Sequence, residues 1–316
     1  MELIRGLHNM RPRHRGCITT IGAFDGVHHG HQAILQQLID KGKELNLPTT
    51  VVVFEPLPRE YFAPLQAPAR LMSFSEKFQA LKALGIDRVL RIRFTPDLKD
   101  MGAKEFIQQV FVKGLGARYI IAGDDLRFGR NRGGDFDLLK SEGLIHGFDV
   151  VATSTLKIRD DRVSSTRIRK ALEDSDFELA ELLLGKPYSI AGRVIVGQQL
   201  GRQLGAPTAN IALRRLRAPM SGVYAVEVEI GQRSLKGVAN VGSRPTVDNS
   251  LKAILEVHIL NFNEDIYGKK IKVIFRKKIR DEQKFDSIDQ LKEQIYRDIQ
   301  TGRQYLSQHI SASAKP

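Results

Sequence analysis

At 316 residues, 42% hydrophobic and 27% charged, the chain has the composition of a globular protein of one large or two medium domains, which excludes intrinsic disorder. A single cysteine excludes an intramolecular disulfide and a cysteine-based zinc site, and no apolar run approaches the ~18 residues that span a bilayer. The 49 Lys and Arg against 36 Asp and Glu, a net charge of +13, suit anionic partners such as phosphorylated metabolites, nucleic acid or acidic lipid, or serve solubility alone.

The opening MELIRGLHNMRPRHRG is charged throughout and holds no apolar stretch, so no secretory signal is expected and the chain is placed in the cytoplasm. From there two periods alternate. Residues 18–22 read as a strand, and 31–46 as a helix with Ile34, Leu35, Leu38, Ile39 and Leu45 at helical spacing. TTVVVF (49–54) is a β-branched run of the kind found in buried parallel strands. SEKFQALKALG (75–85) predicts a helix capped by Ser75 and stopped by Gly85. Strand-like 88–94, helix-like 103–116, strand-like 118–123, helix-like 134–147 and strand-like 148–154 continue the rhythm. Such alternation predicts an open, doubly wound parallel sheet with helices on both faces. Ligands in such sheets bind at the carboxyl ends of strands.

DFELAELLLGKP (176–187) reads as a helix stopped by Gly185 and Pro187, and the texture changes after it. YSIAGRVIV, GVYAVEVEI, SLKGVANV, AILEVHIL and KIKVIFRKKI are short, β-rich and punctuated by turn residues. They predict an antiparallel barrel or sandwich, closed by a helix over 286–303. The expected division is 1–186, 187–306 and a frayed tail from 307 to 316.

GAFDGVHHGH (22–31) is the first concentration of chemistry. His28 and His31 stand three apart at a helix entrance, where unpaired N–H groups and the positive dipole end suit a phosphate. Gly26 and Gly30 leave room for backbone to approach it. A metal pair or two surface histidines would show the same spacing. Asp25 suits either a tight turn or the orientation of an imidazole.

GRQLGAPTANI (201–211) is the second. In extended backbone Thr208 and Asn210 point to one face and Ala209 to the other. A hydroxyl and an amide oxygen are hard neutral ligands for Mg²⁺ that also binds a phosphate. A plain glycine-rich turn into a strand remains the alternative. Leu255 to Ile259 alternate, so Leu255, Val257 and Ile259 face the core while Glu256 and His258 face out. Spacing alone makes Glu256 a solvated strand residue.

Several segments, in order, carry a resemblance. GAFDGVHHGH resembles the G-x-F-D-G-x-H-x-G-H signature of the nucleotidyltransferase domain of bacterial bifunctional riboflavin kinase/FMN adenylyltransferases, the FAD synthetases. FEPLPREYF (54–62), GDDLRFG (123–129) and SSTRIR (164–169) resemble further segments of that domain, with Leu126 where Phe is usual. GRQLGAPTAN resembles the kinase-domain G-x-x-L-G-x-P-T-A-N motif, with Ala206 in place of an aromatic. GVYAV (222–226), NVGSRPT (240–246), LEVHILNFNEDIYG (255–268) and RDEQKFDSIDQL (280–291) also resemble kinase segments.

The resemblance implies a nucleotidyltransferase sheet domain and a kinase β-barrel with a terminal helix. It implies phosphorylation of riboflavin to FMN by ATP in the barrel, then adenylyl transfer from ATP to FMN, giving FAD and pyrophosphate. His28 and His31 would touch the ATP phosphates, beside Gly22, Phe24, Asp25 and Gly30. Asp124 would hold the nucleotide, and Ser164, Thr166 and Arg167 would receive the departing pyrophosphate. Phe54, Pro56, Pro58 and Arg127 would shape the flavin side. In the barrel, Gly201, Leu204, Gly205, Pro207, Thr208 and Asn210 would bind ATP, with Thr208 and Asn210 on Mg²⁺. Glu256 would be the catalytic base, and Arg280 and Phe285 would meet the flavin. Nucleic acid and membrane are not expected partners. An adenylyltransferase for another phosphorylated acceptor, and a basic nucleic-acid-binding protein, stand as the other readings.

Overall fold

The computed structural model of the chain describes residues 1–153, 156–197, 201, 204–245 and 251–309. Ser154, Arg202, Gln203, Thr246 and the tail from 310, all part of the sequence reading above, lie outside the described residues. Two compact units emerge, Met1–Ala67 with Phe74–Ser164, and Pro68–Ser73 with Ser165–Pro316.

In the first unit the strands are β1 (Glu2–Arg5), β2 (Cys17–Ile21), β3 (Thr49–Phe54), β4 (Arg88–Ile92), β5 (Ala117–Ala122) and β6 (Asp149–Ala152). They form one parallel sheet in the order β1-β4-β3-β2-β5-β6, and β7 (Lys157–Ile158) with β8 (Asp161–Arg162) makes a separate antiparallel pair. The helices are α1 (His29–Leu45), α2 (Pro58–Phe62), α3 (Phe74–Ala83), α4 (Pro96–Asp100), α5 (Ala103–Phe106) and α6 (Phe136–His146). Every residue of β2 and the first five of β3 are buried, because both faces of these central strands are covered. After β2 the chain winds toward β3 and β4; after β5 it winds the other way, to β6. The order therefore reverses between β2 and β5, and the loops leaving those two strands flank the crevice where such folds bind ligands.

The second unit holds α7 (Ser165–Glu173), α8 (Phe177–Leu184), β9 (Ser189–Ile195), β10 (Ala209–Ile211), β11 (Gly222–Ile230), β12 (Arg233–Pro245), β13 (Leu251–Ile259), β14 (Lys270–Arg280) and a terminal helix α9 (Ile288–His309). Its strands close into a barrel in the order β10-β13-β12-β11-β14-β9, so closure removes the sheet edges. Tyr224 and Phe275 meet edge to face at its centre, 5.5 Å between rings.

Several boundaries differ from the sequence reading for identifiable reasons. Ser75 is not the cap of α3, which already begins at Phe74. The helix expected over 103–116 is α5 followed by a π-helical stretch, Ile107–Gly114. The last helix does not stop at 303, and residues 307–309 are helical rather than frayed. Gly302 lies inside it because a Cβ there would meet Val238 at 2.5 Å; the glycine serves close packing on the barrel, not termination. The short strands β1 and β10 carry too few residues for a periodic signal. The compact units divide at Ser164/Ser165, ahead of the change in texture, because α8 packs against β14. Pro68–Ser73 joins the barrel unit through polar contacts: Arg215 donates to the carbonyls of Arg70 and Leu71 and to the Tyr188 hydroxyl, each at 3.2 Å. Arg169 donates to the Ala69 carbonyl. Among the described residues, no helix is long and apolar enough to cross a membrane.

Candidate active sites

The loop from β2 to α1 packs three left-handed residues into four positions: Phe24 (φ 47°), Gly26 (φ 91°) and Val27 (φ 44°). For a β-branched valine this is strained backbone, of the kind stored at functional turns. The turn delivers His28 to the N-cap of α1, where its Nδ1 accepts the backbone N–H of His31 at 3.3 Å. With Nδ1 acting as acceptor, the ring proton of the neutral imidazole sits on Nε2. The His31 ring stacks on that of His28 at 3.7 Å, and its buried Nδ1 has no hydrogen-bond partner among the described residues. Gly30 makes the stack fit: a Cβ there would lie 3.2 Å from His28 Cε1 and 3.4 Å from the Val163 carbonyl. Gly22 likewise makes room for the Phe24 ring.

Burial pushes the His28 imidazole down to about 4, against the attraction of buried Asp25. His31 is held well below its ordinary value by burial first, then by the charges of His28, Lys77 and Arg162. The unliganded pair is therefore neutral, and an arriving polyphosphate would favour the protonated form. Two of these cations were not singled out in the sequence. Lys77 reads as one more charge on α3 but is 1% exposed, and Arg162 sits on a two-residue strand.

Asp124 is exposed on the loop leaving β5, opposite the histidine turn across the switch point. Its neighbour Asp125 pairs with Arg162 at 3.0 Å. Arg127 is exposed and donates to the Leu126 carbonyl; Leu126 packs against the sheet core in place of a larger ring. Ser164 closes the first unit, while exposed Thr166 and half-buried Arg167 stand in the first turn of α7 in the second.

Phe54 ends β3 and meets Phe94 edge-on at 5.8 Å. Pro56 follows in a cis peptide bond, and Pro58 opens α2. Tyr61 and Phe62 pack on Phe94 at 5.0 and 5.5 Å, and Phe62 is 59% exposed. An aromatic wall thus stands at the carboxyl ends of β3 and β4. Phe94 escaped the sequence reading because it follows β4 outside any motif.

In the barrel, register gathers the site. Asn210 on β10 lies opposite Glu256 on β13, Glu256 opposite Asn240 on β12, Asn240 opposite Val223 on β11, and Val223 opposite Arg280 on β14. Directly opposed residues share a sheet face. All five line one cavity of about 250 Å³, walled on its far side by Ile295 and Ile299 of α9. Thr208, Leu204, Gly201 and Phe285 line it as well. Leu255 and Val257 are buried while Glu256 is half-buried, so the alternation expected for this strand holds. A second cavity of about 410 Å³ lies beyond Pro207 and Thr208, bordered by Phe262 and Tyr267. Thr208 lines both.

Arg280 does not reach freely into the cavity. Its Nε and Nη2 donate to the Asp298 carboxylate of α9 at 2.8–3.0 Å, and Gln294 donates to the same group. The guanidinium also lies 5.7 Å from the Phe285 ring centre. His258 pairs through Nδ1 with the Pro207 carbonyl at 2.9 Å, tying β13 to the loop that carries Thr208. Gly205 (φ 79°) lies beneath the Tyr296 hydroxyl. Ala206 is buried in a cluster with Ile299 and Leu306, so a helix fills the space where the motif usually has a ring.

Comparison with known proteins agrees with this layout. A family model described as FAD synthetase matches residues 10–167, and one described as riboflavin kinase matches residues 184–306. The bifunctional riboflavin kinase/FMN adenylyltransferase of Pseudomonas fluorescens is 50% identical over 303 residues, 96% of this chain and 97% of that protein. The protein of the same name from Escherichia coli strain K12 is 49% identical over 308 residues, 97% of this chain and 98% of its own. A solved structure described as a macrolide-efflux protein from Streptococcus pneumoniae is 30% identical, with a TM-score of 0.76 over 98% of this chain and 100% of that one. The chain belongs to the bifunctional riboflavin kinase/FMN adenylyltransferase family.

Proposed function

We propose that this chain makes FMN from riboflavin and ATP in its barrel, and FAD from FMN and a second ATP in its parallel-sheet unit. Residues 1–186 would form the adenylyltransferase and 187–306 the kinase. The family matches over both halves decide for this reading over another phosphorylated acceptor or nucleic acid. The observation that carries it is the barrel rung, on which a carboxylate is flanked by the amides of Asn210 and Asn240 within one cavity.

In the barrel the smaller cavity takes the flavin and the larger one the nucleotide, with Thr208 on their shared wall. The Glu256 carboxylate accepts the proton of the ribityl 5′-hydroxyl as its oxygen attacks the γ-phosphorus; the bond to the bridging oxygen breaks and ADP departs. The Thr208 hydroxyl and Asn210 amide oxygen, both hard oxygen donors on the cavity wall, would hold Mg²⁺, which would supply charge neutralisation for the phosphates.

In the sheet unit the FMN phosphate is itself the nucleophile. Its oxygen attacks the α-phosphorus of ATP and pyrophosphate leaves, so the protein aligns reactants and neutralises charge. His28 offers its Nε2–H to phosphoryl oxygens. Of the residues that the resemblance assigns to the pyrophosphate, Ser164 lies in this unit and Thr166 and Arg167 in the other; Phe54, Pro56, Pro58 and Arg127 form the flavin side. We place the reactions in the cytoplasm, where ATP is supplied.

Incubation with riboflavin and MgATP, with flavins separated over time, should show FMN first and FAD second. Glu256→Gln should abolish FMN formation while supplied FMN is still adenylylated; equal loss of both activities would refute the two-site assignment. Chelation of Mg²⁺ should stop both reactions, and its return should restore them.

A further inference from the structure

Asn240 has no part in the mechanism above, yet it sits between Glu256 and Val223 on the rung that crosses the flavin cavity. Among the described residues no hydrogen bond engages its carboxamide. The side chain is half-buried and lines the cavity. A carboxamide offers both donors and an acceptor, and placed in a cavity rather than in a protein network it is suited to a ligand.

The rung gives that ligand a direction. Asn210 stands on one side of Glu256, two residues from Thr208 on the wall shared with the larger cavity, and Asn240 on the other, toward Val223 and Arg280. The hydroxyl that loses its proton must lie at Glu256. Neighbouring strands are about 4.8 Å apart, so Asn240 stands one strand further along, beside the hydroxyls that precede the reacting one. Beyond it the lining combines apolar Val223, Phe285, Ile295 and Ile299 with polar Arg280 and Glu282, which suits a fused ring that carries polar edges. We propose that Asn240 is a specificity-determining residue that hydrogen-bonds the interior hydroxyls of the ribityl chain and so sets which flavin hydroxyl reaches Glu256. This rests on the kinase assignment.

The test reads only the kinase site. The KM for riboflavin and the Ki of lumiflavin, an isoalloxazine bearing methyl in place of the ribityl chain, are measured in the riboflavin kinase reaction of the full chain. Loss of a neutral hydrogen bond is worth about three- to tenfold in binding. Asn240→Ala should raise the riboflavin KM by that factor and leave the lumiflavin Ki and the ATP KM unchanged. A parallel rise in KM and Ki would mean that Asn240 only supports the wall, and an unchanged KM would mean that it touches no hydroxyl; either overturns the proposal. If Asn240→Ala does not fold, judged by its circular dichroism and thermal melting against the unaltered chain, Asn240→Ser reads the same contrast with a smaller rise in KM. Two controls separate the failures: if the unaltered chain makes no FMN, the kinase assignment falls; if Glu256→Gln still phosphorylates riboflavin, the placement of the reacting hydroxyl at Glu256 falls; and if Glu256→Gln is inactive while Asn240→Ala leaves KM unmoved, only the present proposal falls.

Discussion

His28 caps α1 through Nδ1, which leaves its ring proton on Nε2, the proton that the proposed mechanism offers to a phosphate. Its low proton affinity has a consequence for stability. An imidazole at about 4 in the fold and near 6.5 in the open chain binds fewer protons when folded. Stability is therefore full above about pH 6.5 and falls as pH drops through 6.5 toward 4. The difference of 6.5 − 4, about 2.5 pH units, corresponds to about 3 kcal/mol, and His31 acts in the same direction. His28→Asn keeps a good cap but cannot titrate, so melting temperatures measured from pH 7 to 4 should fall less steeply than in the unaltered protein, while adenylylation is lost. An equally steep fall would assign the acid sensitivity elsewhere. Gly30→Ala should displace the His28 ring by a few tenths of an ångström and weaken adenylylation while riboflavin phosphorylation continues; unchanged FAD formation would show that the stack tolerates the shift.

At the scale of elements, α9 is held to the barrel by the Arg280–Asp298 pair, with side chains 16% and 6% exposed. Removing one partner of a buried pair leaves an uncompensated charge, at a cost of roughly 3–5 kcal/mol. Asp298→Ala should lower stability by that order in denaturant titrations and raise the riboflavin KM, because α9 and Phe285 wall the cavity proposed to take the flavin. Retention of both values would contradict the anchoring role. Elements also differ in how well their residues announce them. β3 is readable because six β-branched or aromatic residues in a row have one favourable environment. The run of α9 past Gly302 is not readable, because a helical glycine that permits close packing looks the same in sequence as one that ends a helix.

For the whole molecule, the two proposed sites imply that one chain can supply another. An equimolar mixture of Glu256→Gln and His31→Ala, each unable alone to convert riboflavin to FAD, should do so together through released FMN; FMN that accumulates without FAD would show that transfer needs both sites intact in one chain. The motifs of both sites, the alternation of strands and helices, and the change to short β-strands were determined by sequence alone, because local spacing and turn chemistry act over a few residues. The rung from Asn210 to Arg280, the burial of Lys77, the Arg280–Asp298 anchor and the seating of Pro68–Ser73 with the barrel were decided only by tertiary structure. Strand register and desolvation are properties of partners tens to more than a hundred residues apart, and no local pattern carries them.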